Sequence, residues 1–200
     1  MLSVETRKEI IALINREVVP ATGCTEPVAV SLCTAKAVET LGFLPQSIEV
    51  RLSPNILKNA MGVGIPGTGM IGLPIAVALG AIVGRSEYNL EVLKDTTPEA
   101  VEQGRRMIDD GCINIALKEG ACDMLYIEVT VSAGDDSATV VIAGAHTNFV
   151  YIEHNGVVLH DRRTPVGAVL SSDKSVELTF EKVWEFATAS PIDELSFILF

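Results

Sequence analysis

An α+β fold follows from three features of the sequence. Apolar residues recur at helical spacing through most of the first 110 residues, and the period changes to two after Gly111. The chain of 200 residues is 48% hydrophobic but only 5% aromatic, which supplies one sizeable aliphatic core. The expected architecture is a helical lobe carrying the motif loops beside an antiparallel β-meander lobe. Residues 1–111 form the helical lobe and lend strand 47–52 to the sheet. Residues 112–161 form the sheet lobe, and 162–200 form a linker with C-terminal helices.

The elements follow in order. Residues 3–19 place Ile10, Ile11, Leu13, Ile14 and Val18 at helical spacing, with Ser3 as cap and Pro20 beyond the end. A second helix spans 26–41, capped by Thr25, with Pro27 in its first turn and Gly42 as its stop. Residues 47–52 alternate strictly and form a strand. A short helix covers 54–61, a glycine-rich loop 62–69, and a buried helix 70–83. Residues 98–110 form an exposed helix ended by Gly111. Strands are expected at 113–117, 125–131, 138–143, 149–153 and 157–160, with hairpin turns at Gly134-Asp135-Asp136 and His154-Asn155-Gly156. Residues 162–173 are the linker, 176–187 are helical, and Ser190-Pro191 starts a last helix. That helix carries Leu195, Ile198 and Leu199 on one face and reaches Phe200 without a cap. It reads either as interrupted sequence or as a helix docking its tip into the core.

Composition excludes several classes. A net charge of −11 without clustered Lys or Arg argues against nucleic-acid binding. Cys24, Cys33, Cys112 and Cys122 form neither a disulfide scaffold nor a C-x-x-C pair, so no zinc site is expected and the thiols read as reduced. With no signal peptide at its start, the chain reads as cytoplasmic. The stretch 59–84 lacks charge over about 26 residues, enough to span a bilayer. Its seven glycines, with Pro66 and Pro74, favour a buried loop and helix over a membrane span.

Two motifs carry candidate chemistry. The first, Gly23-Cys24-Thr25-Glu26-Pro27, places a thiol and a carboxylate where a helix begins. A helix dipole there lowers a thiol pKa, and a thiolate can act as nucleophile, metal ligand or base. Cys24 is equally a small buried hydrophobe. Glu26 is either a first-turn carboxylate favoured by the dipole or a proton carrier. The second motif runs from Asn55 through Lys58 and Asn59 to Gly62, Gly64, Gly67, Thr68 and Gly69. Its G-x-G-x-x-G follows a helix rather than a strand, which rules out a dinucleotide fingerprint. What remains is an amide-rich turn suited to a carboxylate or phosphate, with Lys58 adding charge, or else a tight turn packed in the core. His146-Thr147-Asn148 interrupts a hairpin, and His146 is either an acid–base group or a turn residue. Cys33 reads as core, and Cys112 and Cys122 carry no role.

These stretches, together with Asn-Ile-x-Lys-Asn-Ala-Met-Gly-Val-Gly-Ile-Pro-Gly-Thr-Gly, resemble the L-cysteine desulfidase family, relatives of the iron–sulfur L-serine dehydratase alpha chain. The likeness covers essentially the whole chain but only the family's N-terminal half. It implies a pyridoxal-independent β-eliminating lyase that takes L-cysteine to pyruvate, ammonia and sulfide, or L-serine to pyruvate and ammonia. A [4Fe–4S] cluster assists the leaving group in the full-length family. Cys24 is implied as a catalytic residue acting as base. Glu26 and His146 join it as candidate catalytic groups, and Thr25, Asn55, Lys58, Asn59, the loop residues 62–69, Thr147 and Asn148 as candidate substrate contacts. The cluster-binding cysteines of the family lie in the other half, so the chain alone is expected to hold no cluster and to be inactive. The alternative is a cluster-free subunit that binds a small anion or amino acid, or regulates, and needs a second chain. Either way the partners expected are a small amino acid and a second polypeptide. That polypeptide is another copy of this chain, most simply in a twofold dimer, or the missing half.

Overall fold

The computed structural model describes residues 2–164 and 176–198. The linker residues expected at 165–173, and Leu199 and Phe200 of the last helix, lie outside the described residues. In chain order the elements are α1 (Val4–Glu17), α2 (Thr25–Leu41), β1 (Ser47–Leu52), α3 (Pro54–Ala60), β2 (Gly64–Ile65), β3 (Met70–Ile71), α4 (Leu73–Ile82), a 3-10 turn (Ser86–Glu91), α5 (Pro98–Asp109), β4 (Ile113–Leu117), β5 (Tyr126–Ala133), β6 (Asp136–Ala143), β7 (Phe149–His154), β8 (Val157–Asp161), α6 (Phe180–Ala189) and a 3-10 helix (Ile192–Ile198). They group into two compact units, Met1–Pro20 with Val169–Phe200, and Ala21–Ala168. Helices α2 to α5 and the sheet all fall within the second of these.

In the larger unit six strands form a sheet in the order β4-β1-β5-β6-β7-β8. From β1 through β5 to β8 every pairing is antiparallel, as the turn signals require. The exception corrects the meander: β4 pairs in parallel with β1, Ile48 opposite Ile113, and sits at the sheet edge. A parallel neighbour needs a long crossover, and α3, the β2–β3 hairpin, α4 and α5 supply it. Period-two alternation puts Ile48, Val50, Leu52, Ile127, Val129, Val131, Val140 and Ile142 on one buried face. Helix α2 lies across β5 and β6 on that face, and α4 packs between α2 and α5.

The α2–α4 contact is close because Gly80 has no side chain. A Cβ there would lie 2.5 Å from the Ser31 carbonyl oxygen. The buried Ser31 hydroxyl donates to the Ala76 carbonyl at 2.8 Å, which ties the two helices together. The uncharged stretch thus divides in two. Its second part is the buried helix α4, whereas its first part forms a two-stranded hairpin before α4 begins. The helix expected at 70–83 starts only after Gly72, because Met70 and Ile71 pair with Ile65 and Gly64. Among the described residues no helix is long and apolar enough to cross a membrane.

Local capping and ion pairs hold the smaller unit. Ser3 accepts from the Thr6 amide at 3.0 Å, as its position at the head of α1 requires. Thr179 caps α6 in the same way through the Lys182 amide. Arg7 donates to Glu194 at 3.2 Å. The last helix is 3-10 rather than α: the Glu194 amide reaches the Pro191 carbonyl, three residues back, at 3.1 Å.

Candidate functional site

The two motifs meet in the larger unit. Gly23 holds φ at +92°, and a Cβ there would lie 2.9 Å from Pro66 Cγ. This contact sets the Cys24 turn against the glycine loop. Helix α2 begins one residue earlier than expected, with Cys24 rather than Thr25 at the cap. The Cys24 thiol makes no capping bond. It donates instead to Glu26 Oε2 at 3.0 Å, and the Thr25 hydroxyl donates to the same oxygen at 3.3 Å. From the end of α3, Asn59 Nδ2 donates to Glu26 Oε1 at 3.4 Å. From the β6–β7 loop, His146 lies near enough for its charge to favour the Glu26 carboxylate. Two separate segments, the Cys24–Thr25 turn and the end of α3, therefore hydrogen-bond to one half-buried carboxylate.

The electrostatics reverse the expectation for the thiol. Burial pushes the Cys24 thiol above its ordinary value, and the hydrogen bond and negative charge of Glu26 push it the same way. The same bond, more than any other cause, holds the Glu26 carboxyl below its usual range. The helix dipole is outweighed first by burial and then by the Glu26 carboxylate 3.0 Å away. The resting pair is a neutral thiol and an ionised carboxylate.

The loop contributes backbone rather than side chains. Gly62, Gly64, Gly67 and Gly69 are exposed, and a Cβ at any of them would meet nothing within 4 Å. Gly67 and Gly69 hold positive φ in the β2–β3 turn, which accounts for glycine at those two positions. Gly62 and Gly64 have no such constraint. Thr68 is buried: its hydroxyl donates to the Ile65 carbonyl at 2.7 Å and accepts from the Met70 amide at 2.9 Å, so it braces the turn. Lys58 and Asn55 are exposed on α3, the former one residue before Asn59. Thr147 is exposed, and Asn148 closes its own loop by donating to the Ala143 carbonyl at 2.9 Å.

A [4Fe–4S] cluster needs several thiolates converging on one point. Cys33 is sealed in the core, where its thiol donates to the Val140 carbonyl at 3.3 Å and burial pushes its pKa up. Cys112 and Cys122 belong to other parts of the chain, and no group of three metal-ligating side chains occurs among the described residues.

One polar cleft was not anticipated from the sequence. On the outer sheet face, Tyr126 donates to Glu128 Oε2 at 2.5 Å, and Lys118 Nζ donates to the same oxygen at 2.7 Å. Burial and then Glu128 push the Tyr126 phenol up. A cavity of about 290 Å³ opens beside Lys118, Glu128 and Arg51. Alternation in 126–132 marks Tyr126 and Glu128 as sharing a face, but Lys118 arrives through β4, whose parallel placement local sequence does not encode.

No family model matches the chain, and no solved structure matches it significantly. Curated relatives do. A UPF0597 protein of Bacteroides fragilis is 60% identical over 193 residues, 96% of this chain and 45% of the relative. A UPF0597 protein of Phocaeicola vulgatus is 58% identical over 199 residues, 100% of this chain and 46% of the relative. One from Porphyromonas gingivalis is 49% identical over 203 residues, 99% of this chain and 47% of the relative. The chain is thus similar along nearly its whole length to UPF0597 proteins, and it spans about half the length of the curated relatives it matches.

Proposed function

We propose that this chain supplies the proton-handling and carboxylate-binding half of a lyase active site that eliminates the β-substituent of L-cysteine or L-serine. The observation that carries this reading is the thiol–carboxylate bond between Cys24 and Glu26, joined by Asn59. Its polarity assigns the roles. The Glu26 carboxylate takes the α-proton, and the C–H electron pair forms the Cα–Cβ double bond. The Cβ–S or Cβ–O bond breaks, and the leaving group takes the Cys24 thiol proton. The 3.0 Å bond then returns the proton from Glu26 to Cys24. The enamine product tautomerises and hydrolyses to pyruvate and ammonia. The substrate carboxylate suits the open backbone at Gly62 and Gly64, with Lys58 nearby in sequence. Resemblance to L-cysteine desulfidases supports the reaction class, and the cluster of that family would be held by a polypeptide other than this one.

The test is anaerobic pyruvate release from each amino acid, with iron and sulfide supplied. The catalyst is this chain combined with the segment of a relative that it does not match. Glu26→Gln is expected to slow release by roughly 10²–10⁴-fold, the scale of a lost acid–base group. Release unchanged in both Glu26→Gln and Cys24→Ala counts against these roles. No release from either amino acid by the unmutated pair counts against the lyase. A second reading, a cluster-free subunit that binds a small carboxylate, is favoured by the core position of Cys33.

A further inference from the structure

The smaller unit leaves many of its apolar side chains exposed. Of its described apolar side chains only Ile10 and Phe186 are buried. Val4, Val18, Val19, Phe180, Trp184 and Ile192 are all exposed. An independent helical unit buries a continuous apolar stripe, and two buried side chains do not make one.

The exposed aromatic residues of this unit lie on α6. Phe180, Val183 and Trp184 recur at i, i+3 and i+4 and so share one helix face. Phe180 is 77% and Trp184 63% exposed, and Ile192, just beyond the helix, is 76% exposed. The two rings stack with centroids 6.3 Å apart and planes 19° from parallel. A rigid aromatic pair on an exposed helix face has the composition of an interface anchor.

The chemistry around this face and the length of the relatives select its occupant. Glu177, Glu181 and Asp193 lie exposed around it. A second copy meeting it about a twofold axis would set acid against acid, on chains that each carry −11. The relatives match this chain over 96–100% of its length, yet carry more than as much polypeptide again.

We propose that the Phe180–Val183–Trp184 face of α6, with Ile192, is the docking surface for the part of the relatives' polypeptide that this chain does not match. The receiving surface is apolar at its centre and basic at its rim. This surface is independent of what the Cys24–Glu26 site catalyses.

Hydrogen exchange tests it on intact proteins. The helix of the full-length Bacteroides fragilis relative aligned with α6 is expected to exchange at least roughly tenfold more slowly than α6 in this chain alone. Equal exchange overturns the proposal. Trp184 is the only tryptophan of the chain, so its emission reports this face directly. Co-expression with the unmatched segment of the relative is expected to give a complex whose emission is blue-shifted. Phe180→Ser is expected to weaken that complex by roughly tenfold or more, as loss of an aromatic anchor does. If the segment does not fold beside the chain, the exchange comparison decides alone. A blue shift that grows with concentration in this chain by itself, with dimer formation, overturns the proposal in favour of a second copy.

Discussion

Replacing Gly80 with alanine tests the helix crossing that underlies the site. At an uncontacted helical position this change stabilises by up to about 1 kcal/mol, because alanine is the better helix former. Here the new methyl would lie 2.5 Å from the Ser31 carbonyl oxygen and 2.9 Å from its Cα. Both atoms are backbone, so no rotamer change relieves the contact. The helices must part by about 0.5–1 Å, which forfeits a quarter to a half of the dispersion energy of the atoms facing each other there. Overpacking of this kind costs about 1–3 kcal/mol. The buried Ser31–Ala76 hydrogen bond, 2.8 Å in the parent, stretches with it and loses about 1 kcal/mol. The net expectation is a loss of about 2 kcal/mol, roughly 4–8 °C in Tm for a chain of this size. Thermal and urea melts by circular dichroism measure it. Gly62→Ala is the control: nothing lies within 4 Å of its Cβ position, and it is expected to stay within about 0.5 kcal/mol. A Gly80→Ala protein that melts at or above the parent would refute the close crossing.

Three further expectations concern the site. Glu26→Gln should speed alkylation of Cys24 near neutral pH, because the carboxylate raises that thiol by its hydrogen bond and its charge; an unchanged rate, followed by mass spectrometry, would show that the pair does not form. The Glu26 carboxyl is held below its ordinary 4.5, so its contribution to stability is present above that pH and lost as pH falls through the depressed folded value. Glu26→Gln should therefore flatten the acid limb of the urea midpoint below about pH 4.5, and a limb of unchanged slope would count against the assignment. Thr68→Val leaves the buried Ile65 carbonyl and Met70 amide without their hydroxyl partner, an expected loss of about 1–3 kcal/mol, with faster hydrogen exchange at Met70 as the local readout.

Much of this fold is legible because it is local. Ser3 heads its helix, Asn155-Gly156 turns β7 into β8, and alternation in 125–131 gives the buried face of β5. What is not legible depends on distant partners. The uncharged stretch lacks a period, so nothing local separates the hairpin Gly64–Ile71 from α4. The edge position of β4 is fixed by β1, more than sixty residues earlier. At the site, Cys24 could be placed at a helix start from its neighbours alone. The direction of its pKa could not, because that depends on the side-chain rotamer that turns Sγ toward Glu26 and away from the helix amides.

The parallel pairing of β1 with β4 also governs the order in which the chain can close. β1 is an inner strand, yet both of its neighbours are encoded far downstream, at Ile113–Leu117 and Tyr126–Ala133. During synthesis Ile48, Val50 and Leu52 leave the ribosome with neither edge satisfied, and they wait through the whole crossover for a partner. Closing a loop of that length costs entropy before any contact repays it, so β1 gains its sheet partners only once the crossover has been made.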